Sequence, residues 1–136
     1  MKQQLNIGLF GFGVVGNGLY EVLQQSHATN AEIRKICVKN HSKVRQAPLH
    51  LFCFDASEII NDPEINLVVE LIDDADAAFE IVKSSMEAGK SVVSGNKKML
   101  AAHLPEIIEM QQRYNVAVLY DASACGSIPV IRNLEE

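Results

Sequence analysis

The sequence predicts an α/β domain, a doubly wound, mostly parallel sheet with helices on both faces. Three observations carry that expectation. Short apolar runs recur along the chain, stretches of helical periodicity separate them, and a glycine-rich turn follows the first run directly. Strands buried on both faces read as continuous apolar runs, and their alternation with helices is the signature of βαβ units. At 136 residues the chain fits one such domain, since domains commonly run about 100–150 residues.

The elements follow in order. Leu5 to Phe10 is an apolar run ending in glycine, the pattern of a buried parallel strand. Val14 to Gln25 sets Val15, Leu19, Val22 and Leu23 at helical spacing. Ala31 to Val38 reads as a second strand, and Asn40 to Ala47 as a polar loop. Leu49 to Phe54 reads as a third strand, after which Asp55 is the expected N-cap of a short helix with Glu58 as its capping-box partner. Leu67-Val68-Val69 marks a buried strand within Asn66 to Ile72. Ala75 to Ala88 predicts a helix closed by Gly89. Ser91 to Val93 is a strand, and Asn96 to Tyr114 is helical, with a break where Pro105 opens a new first turn. Val116 to Tyr120 is the last strand expected, and a further helix begins at Ile128.

Bulk properties narrow the function. Hydrophobic residues make up 48% of the chain and charged residues 21%, an ordinary globular balance. The net charge of −5 argues against a nucleic-acid or anionic-membrane partner. The start, MKQQLNIGLFGFG, lacks the form of a secretory signal, and no apolar stretch reaches the ~20 residues that span a bilayer. Cys37, Cys53 and Cys125 lie far apart without metal-ligand spacing, which points to reduced, mostly buried thiols and a cytoplasmic location.

Gly11-Phe12-Gly13-Val14-Val15-Gly16 is a G-x-G-x-x-G run between a strand and a helix, the fingerprint of a Rossmann-type dinucleotide site. Gly11 permits the tight turn, Gly13 lets the backbone approach a diphosphate, and Gly16 lets helix pack on strand. The helix start then offers free N–H groups and a positive dipole end to the phosphates. The bland alternative is a glycine turn that only packs, which is the better account of Gly8 and Gly18. The fingerprint usually continues with an acid at the end of the second strand that binds the ribose of NAD. Here that strand ends Val38-Lys39-Asn40. Lys39, Lys43 and Arg45 are able to pair with the 2′-phosphate of NADP, or form only a solvated basic loop.

Three later segments carry a resemblance to a known family. Leu67-Val68-Val69-Glu70-Leu71-Ile72 is similar to the strand V-V-E-L-I of the homoserine dehydrogenases. Gly89-Lys90-Ser91-Val92-Val93-Ser94-Gly95-Asn96-Lys97 resembles their segment G-K-x-V-V-T-A-N-K. Tyr120-Asp121-Ala122-Ser123-Ala124-Cys125-Gly126-Ser127-Ile128-Pro129 resembles Y-E-A-S-V-A-G-G-I-P. The resemblance spans the chain in the right order. It departs at Asp73-Asp74, where the family commonly has a glycine pair, at Asn40 for a common Asp, and at Ala124-Cys125-Gly126-Ser127 for V-A-G-G. Two carboxylates near a cofactor of like charge are unfavourable unless they turn to solvent. Cys125 is better explained by packing than as a nucleophile, since no His lies near it in sequence.

The resemblance implies an NAD- or NADP-dependent interconversion of L-homoserine and L-aspartate 4-semialdehyde, in the route to threonine, isoleucine and methionine. It implies Lys97 as the catalytic lysine near nicotinamide and substrate. The implied cofactor contacts are the glycine loop (Gly11, Phe12, Gly13, Val14, Val15 and Gly16) with Lys39, Ser94, Asn96 and Lys97. It further implies a monovalent cation, sodium, held by Asp121, Ala124, Gly126 and Ile128. Asp121 as the cap of the following turn is the plainer alternative. The chain stops at Glu136 inside an expected helix, so residues 1–136 are expected to be a cofactor domain cut before a substrate domain. The family's second catalytic lysine and main substrate-binding acids would then lie downstream, in an enzyme expected to be a homodimer. Rival readings are another semialdehyde or amino-acid dehydrogenase on the same domain, and a non-catalytic NAD(P)-sensing module.

Overall fold

Side-chain alternation along the apolar runs decides the layering. In strand β1 (Leu5–Phe10), Leu5, Ile7 and Leu9 join one apolar cluster and Phe10 the other. β4 (Leu67–Glu70) divides the same way, Leu67 and Val69 to one side and Val68 to the other. β5 (Ser91–Ser94) separates Val93 from Val92. Neighbouring residues of a strand point to opposite faces, so each of these runs needs cover on both sides. The computed structural model, which describes residues 4–25, 30–39 and 47–120, shows how that cover is supplied.

β1, β4 and β5 form the centre of a six-stranded sheet completed by β2 (Ala31–Cys37), β3 (Phe52–Cys53) and β6 (Val118–Tyr120). The order is β3-β2-β1-β4-β5-β6, and every pairing is parallel. Helix α1 (Val14–Gln25) covers one face with Leu19 and Leu23. The opposite face lies under α2 (Ser57–Ile60), α3 (Ala75–Glu87) and α4 (Lys97–Tyr114), which contribute Ile59, Val82, Met86, Met99 and Ile107. Each fully buried aliphatic side chain of this kind contributes about 1.5–3 kcal/mol. The chain leaves β1 towards β2 on one side and returns to pair β4 on the other. That reversal opens a crevice at the carboxyl ends of β1 and β4, the place where open α/β sheets bind ligands. The doubly wound parallel architecture expected from the sequence is the one observed.

The local signals hold in most places. Gly89 follows α3 at φ +80°, and its N–H reaches the carbonyl of Met86 at 2.9 Å. Asn96 caps α4 by accepting from Met99 N–H at 2.9 Å. The helix breaks at His103 (φ −124°, ψ 18°), just before Pro105, whose ring excludes regular helix behind it. Gly8 is a packing glycine, because an added Cβ would stand 2.3 Å from Cγ2 of the buried Ile59.

Four expectations are corrected. Leu49 to Phe54 is mostly a single 3-10 turn, Leu49–Leu51, with only Phe52–Cys53 paired as strand. Pro48 precedes the turn at φ −57°, and Leu49 stays 81% exposed, so the apolar run is not a buried strand. Asp55 does not cap α2. Its carboxylate accepts from the N–H and hydroxyl of Ser57 at 3.0 and 2.9 Å, an Asx turn, and Ala56 takes the N-cap position. β6 begins at Val118, later than the expected Val116. Gly18 has nothing within 4 Å of an added Cβ, so packing does not require glycine there. The helix expected from Ile128 lies outside the described residues.

Candidate dinucleotide site

The crevice is built first by backbone. β1 ends at Phe10, and Gly11 turns the chain at φ +94°, a conformation that favours glycine. Its N–H donates to the carbonyl of Cys37 at 3.0 Å, tying the turn to β2. An added Cβ on Gly16 would meet the carbonyl oxygen of Gly11 at 2.7 Å, so glycine is what lets α1 settle on the loop. Gly13 is different. Its added Cβ would meet nothing within 4 Å, so its bareness serves no contact inside the protein. Asn17 N–H closes the first helical bond to Gly13 at 2.9 Å, which leaves the earlier N–H groups of α1 without helical partners. Val14 and Val15 open that helix. The ring of Phe12 packs edge-on to Phe52 and Tyr20, with centroids 5.4 and 6.3 Å away, and so anchors the loop.

Around this loop lies a cleft of about 780 Å³, within the size range of small-molecule sites. Gly11, Phe12, Gly13 and Gly16 form one wall, Cys37, Val38 and Lys39 from the end of β2 a second, and Leu71 to Asp74 after β4 a third. Phe54 and Ala56 line it from the β3–α2 segment. Lys39 is exposed at this rim, while Asn40, Lys43 and Arg45 lie outside the described residues. Asp73 and Asp74 are both exposed, and Asp74 is the N-cap of α3, accepting from Asp76 and Ala77 N–H at 2.9 and 3.1 Å. Two carboxylates at this place thus have a local explanation in helix capping and solvent exposure.

Ser94, Asn96 and Lys97 stand at the neighbouring strand edge but not among the cleft-lining residues. The Ser94 hydroxyl donates to Glu70 Oε2 at 2.6 Å and accepts from Asn96 N–H at 3.1 Å. The Asn96 side chain donates to the carbonyls of Ile72 and Asp73 at 3.0 and 3.2 Å. Lys97 is exposed on the first turn of α4, which carries no acid. A cation there opposes the helix dipole, so local stability does not account for it. Asp121, Ala124, Gly126 and Ile128, the expected cation ligands, and Cys125 all lie outside the described residues.

Two residues escape the sequence reading. Glu70 is fully buried at the end of β4, and burial raises its carboxyl above the usual glutamate range. Lys90 is 5% exposed and donates to the carbonyls of Asp62 and Ile65 at 2.8 and 2.7 Å. Burial lowers its ammonium pKa. Cys37 and Cys53 are register partners on β2 and β3. Burial pushes the Cys37 thiol up and the Cys53 thiol up to about 12, which keeps both protonated and fits a packing role.

Compared with known families, residues 11–121 match the model described as homoserine dehydrogenase, NAD binding domain. The chain belongs to this family. Among curated relatives of this NAD-binding domain, homoserine dehydrogenase of Helicobacter pylori is 34% identical over all of the chain and 33% of its own length. That of Neisseria gonorrhoeae is 36% identical over 97% of the chain and 32% of its own length. The crystal structure of a homoserine dehydrogenase from Thiobacillus denitrificans superposes with a TM-score of 0.80 at 30% identity, over 90% of this chain and 31% of that one. The chain thus spans about a third of the length of the curated relatives it matches. The glycine loop of this NAD-binding domain leaves room for a dinucleotide, since Gly13 lines the cleft and an added Cβ there would meet nothing within 4 Å.

Proposed function

We propose that this NAD-binding domain serves the interconversion of L-homoserine and L-aspartate 4-semialdehyde, with NADP accepted at least as well as NAD. The carrying observation is the loop at 11–16, where Gly11 and Gly16 are required by the fold while Gly13 lines the cleft and meets no protein contact that requires glycine. In this reading the N–H groups at the start of α1, with Val14 and Val15 on its first turn, hold the diphosphate. Lys39, with Lys43 and Arg45, pairs with a 2′-phosphate, and no acid at the end of β2 repels it. When bound, the nicotinamide supplies the hydride donor or acceptor.

Lys97 holds its ammonium at the N-terminus of α4, where helix dipole and side chain carry the same sign. Such a pole stabilises an oxyanion developing on the substrate or takes part in a proton relay. Ser94 and Asn96 set the edge from which it projects. Asp121 with the carbonyls of Ala124, Gly126 and Ile128 would hold a sodium ion, and the working enzyme would be a homodimer located in the cytoplasm. Calorimetric titration with NADP and NAD tests the cofactor assignment. The expected result is an NADP affinity equal to or above that for NAD, reduced selectively by Lys39→Ala. A clear preference for NAD would leave the basic segment as solvated surface.

A further inference from the structure

Glu70 ends β4 with a side chain that is fully buried, and the proposed chemistry makes no use of it. A leucine or valine would fill a strand end without the penalty of desolvating a carboxyl. The hydrogen bonds around Glu70 supply a reason for it. Its Oε1 accepts from Ile72 N–H at 2.8 Å and its Oε2 from the Ser94 hydroxyl at 2.6 Å. Ser94 Oγ accepts from Asn96 N–H at 3.1 Å, and the Asn96 amide returns to the carbonyls of Ile72 and Asp73. The backbone closes the same ring, with Gly95 N–H donating to the Glu70 carbonyl at 2.9 Å.

The ring joins two segments that the sequence keeps apart. One is the cleft wall at Ile72 and Asp73, and the other is the turn that opens α4 and carries Lys97. We propose that Glu70 is a positioning residue, which through Ser94 and Asn96 holds the cleft wall and the start of α4 as one body. A carboxyl suits the place because each of its oxygens meets a different donor. Its effect on cofactor binding rests on the reading that this cleft takes NAD(P).

The test compares Glu70→Leu, Glu70→Gln and Ser94→Ala with the wild-type chain by amide hydrogen exchange, NADP titration and thermal melting. Ser94→Ala removes a single hydroxyl and should accelerate exchange at 71–74 and 95–99 together by about tenfold, the size of one lost buried hydrogen bond. Its NADP dissociation constant should rise about fivefold or more, and that of Glu70→Leu further. Glu70→Gln should bind close to wild type, since its carbonyl can keep the Ile72 bond while its amide donates to Ser94. Should Glu70→Leu fail to fold, the other two variants decide. Unchanged exchange in either segment, unchanged affinity despite a lower melting temperature, or equal losses in Glu70→Gln and Glu70→Leu would each overturn the proposal. If the wild type fails to bind NADP, the functional reading falls, and the paired exchange response alone decides the positioning role.

Discussion

Gly13→Ala separates ligand binding from folding more cleanly than any other change in the loop. Gly13 lies outside the left-handed region, which among described glycines holds Gly11 and Gly89. Its added Cβ meets no protein atom within 4 Å. Alanine therefore fits the folded chain, and it narrows the unfolded ensemble, which stabilises by about 0.4–1 kcal/mol. In a domain of this size that raises the melting temperature by roughly 1–5 °C. The cofactor should respond in the opposite direction. The methyl group stands in the open side of the loop, where a diphosphate oxygen would approach the backbone. Forcing a group of that size into a close contact costs about 1–3 kcal/mol, or roughly 5- to 150-fold in the dissociation constant. Calorimetric titration with NADP and a thermal melt of the same sample measure both effects. Wild-type affinity in a well-folded Gly13→Ala variant would refute the assignment of this loop to the diphosphate. A large fall in melting temperature would refute the claim that the bare position faces outward.

Other expectations follow from the same geometry. Gly8→Ala drives a methyl against Ile59 and should destabilise by about 1–3 kcal/mol, seen as a lower urea midpoint. Lys90→Met leaves the carbonyl of Ile65 without its donor, while that of Asp62 keeps the Ile65 N–H, and should cost about 1–3 kcal/mol in the same assay. Glu70 has a folded-state pKa above its ordinary value, mainly through burial, so its contribution to stability is present below about pH 4.5 and is lost as pH rises through the folded value. Glu70→Gln should therefore gain stability relative to wild type between pH 4.5 and neutrality, and melting curves across that window check the sign. Lys97→Ala, in an active enzyme carrying this domain, should lower homoserine oxidation by at least about a hundredfold with little change in melting temperature. Wild-type turnover would remove Lys97 from the catalytic groups.

The layered fold was legible because its signals are local. Alternation in Leu5 to Phe10, the helical spacing of Leu19 and Leu23, and the stop at Gly89 each concern neighbours in sequence. Leu49 to Phe54 misled because an apolar run indicates burial only if something covers it, and Leu49 is left 81% exposed. Glu70 and Lys90 were illegible for a different reason. A charged residue beside an apolar run ordinarily marks an exit to solvent. Its burial depends on partners that the sequence keeps distant, Ser94 being 24 positions from Glu70 and Ile65 25 positions from Lys90.

The residues at 94–97 show where reading a site from a strand edge needs a second step. The carboxyl end of a parallel sheet faces ligand, but it also leaves strand-end carbonyls and helix N–H groups in need of partners. A short polar side chain at that edge has limited bonding capacity. Asn96 commits its amide donors to the carbonyls of Ile72 and Asp73, and its oxygen accepts from Met99 N–H. Ser94 is similarly engaged by Glu70 and Asn96. Neither has a free donor to aim at a cofactor, whereas Lys97, one residue further, is exposed with its charge against the local dipole. The segment therefore divides its labour. Its short polar side chains hold the edge together, and Lys97 is the side chain left exposed beside them.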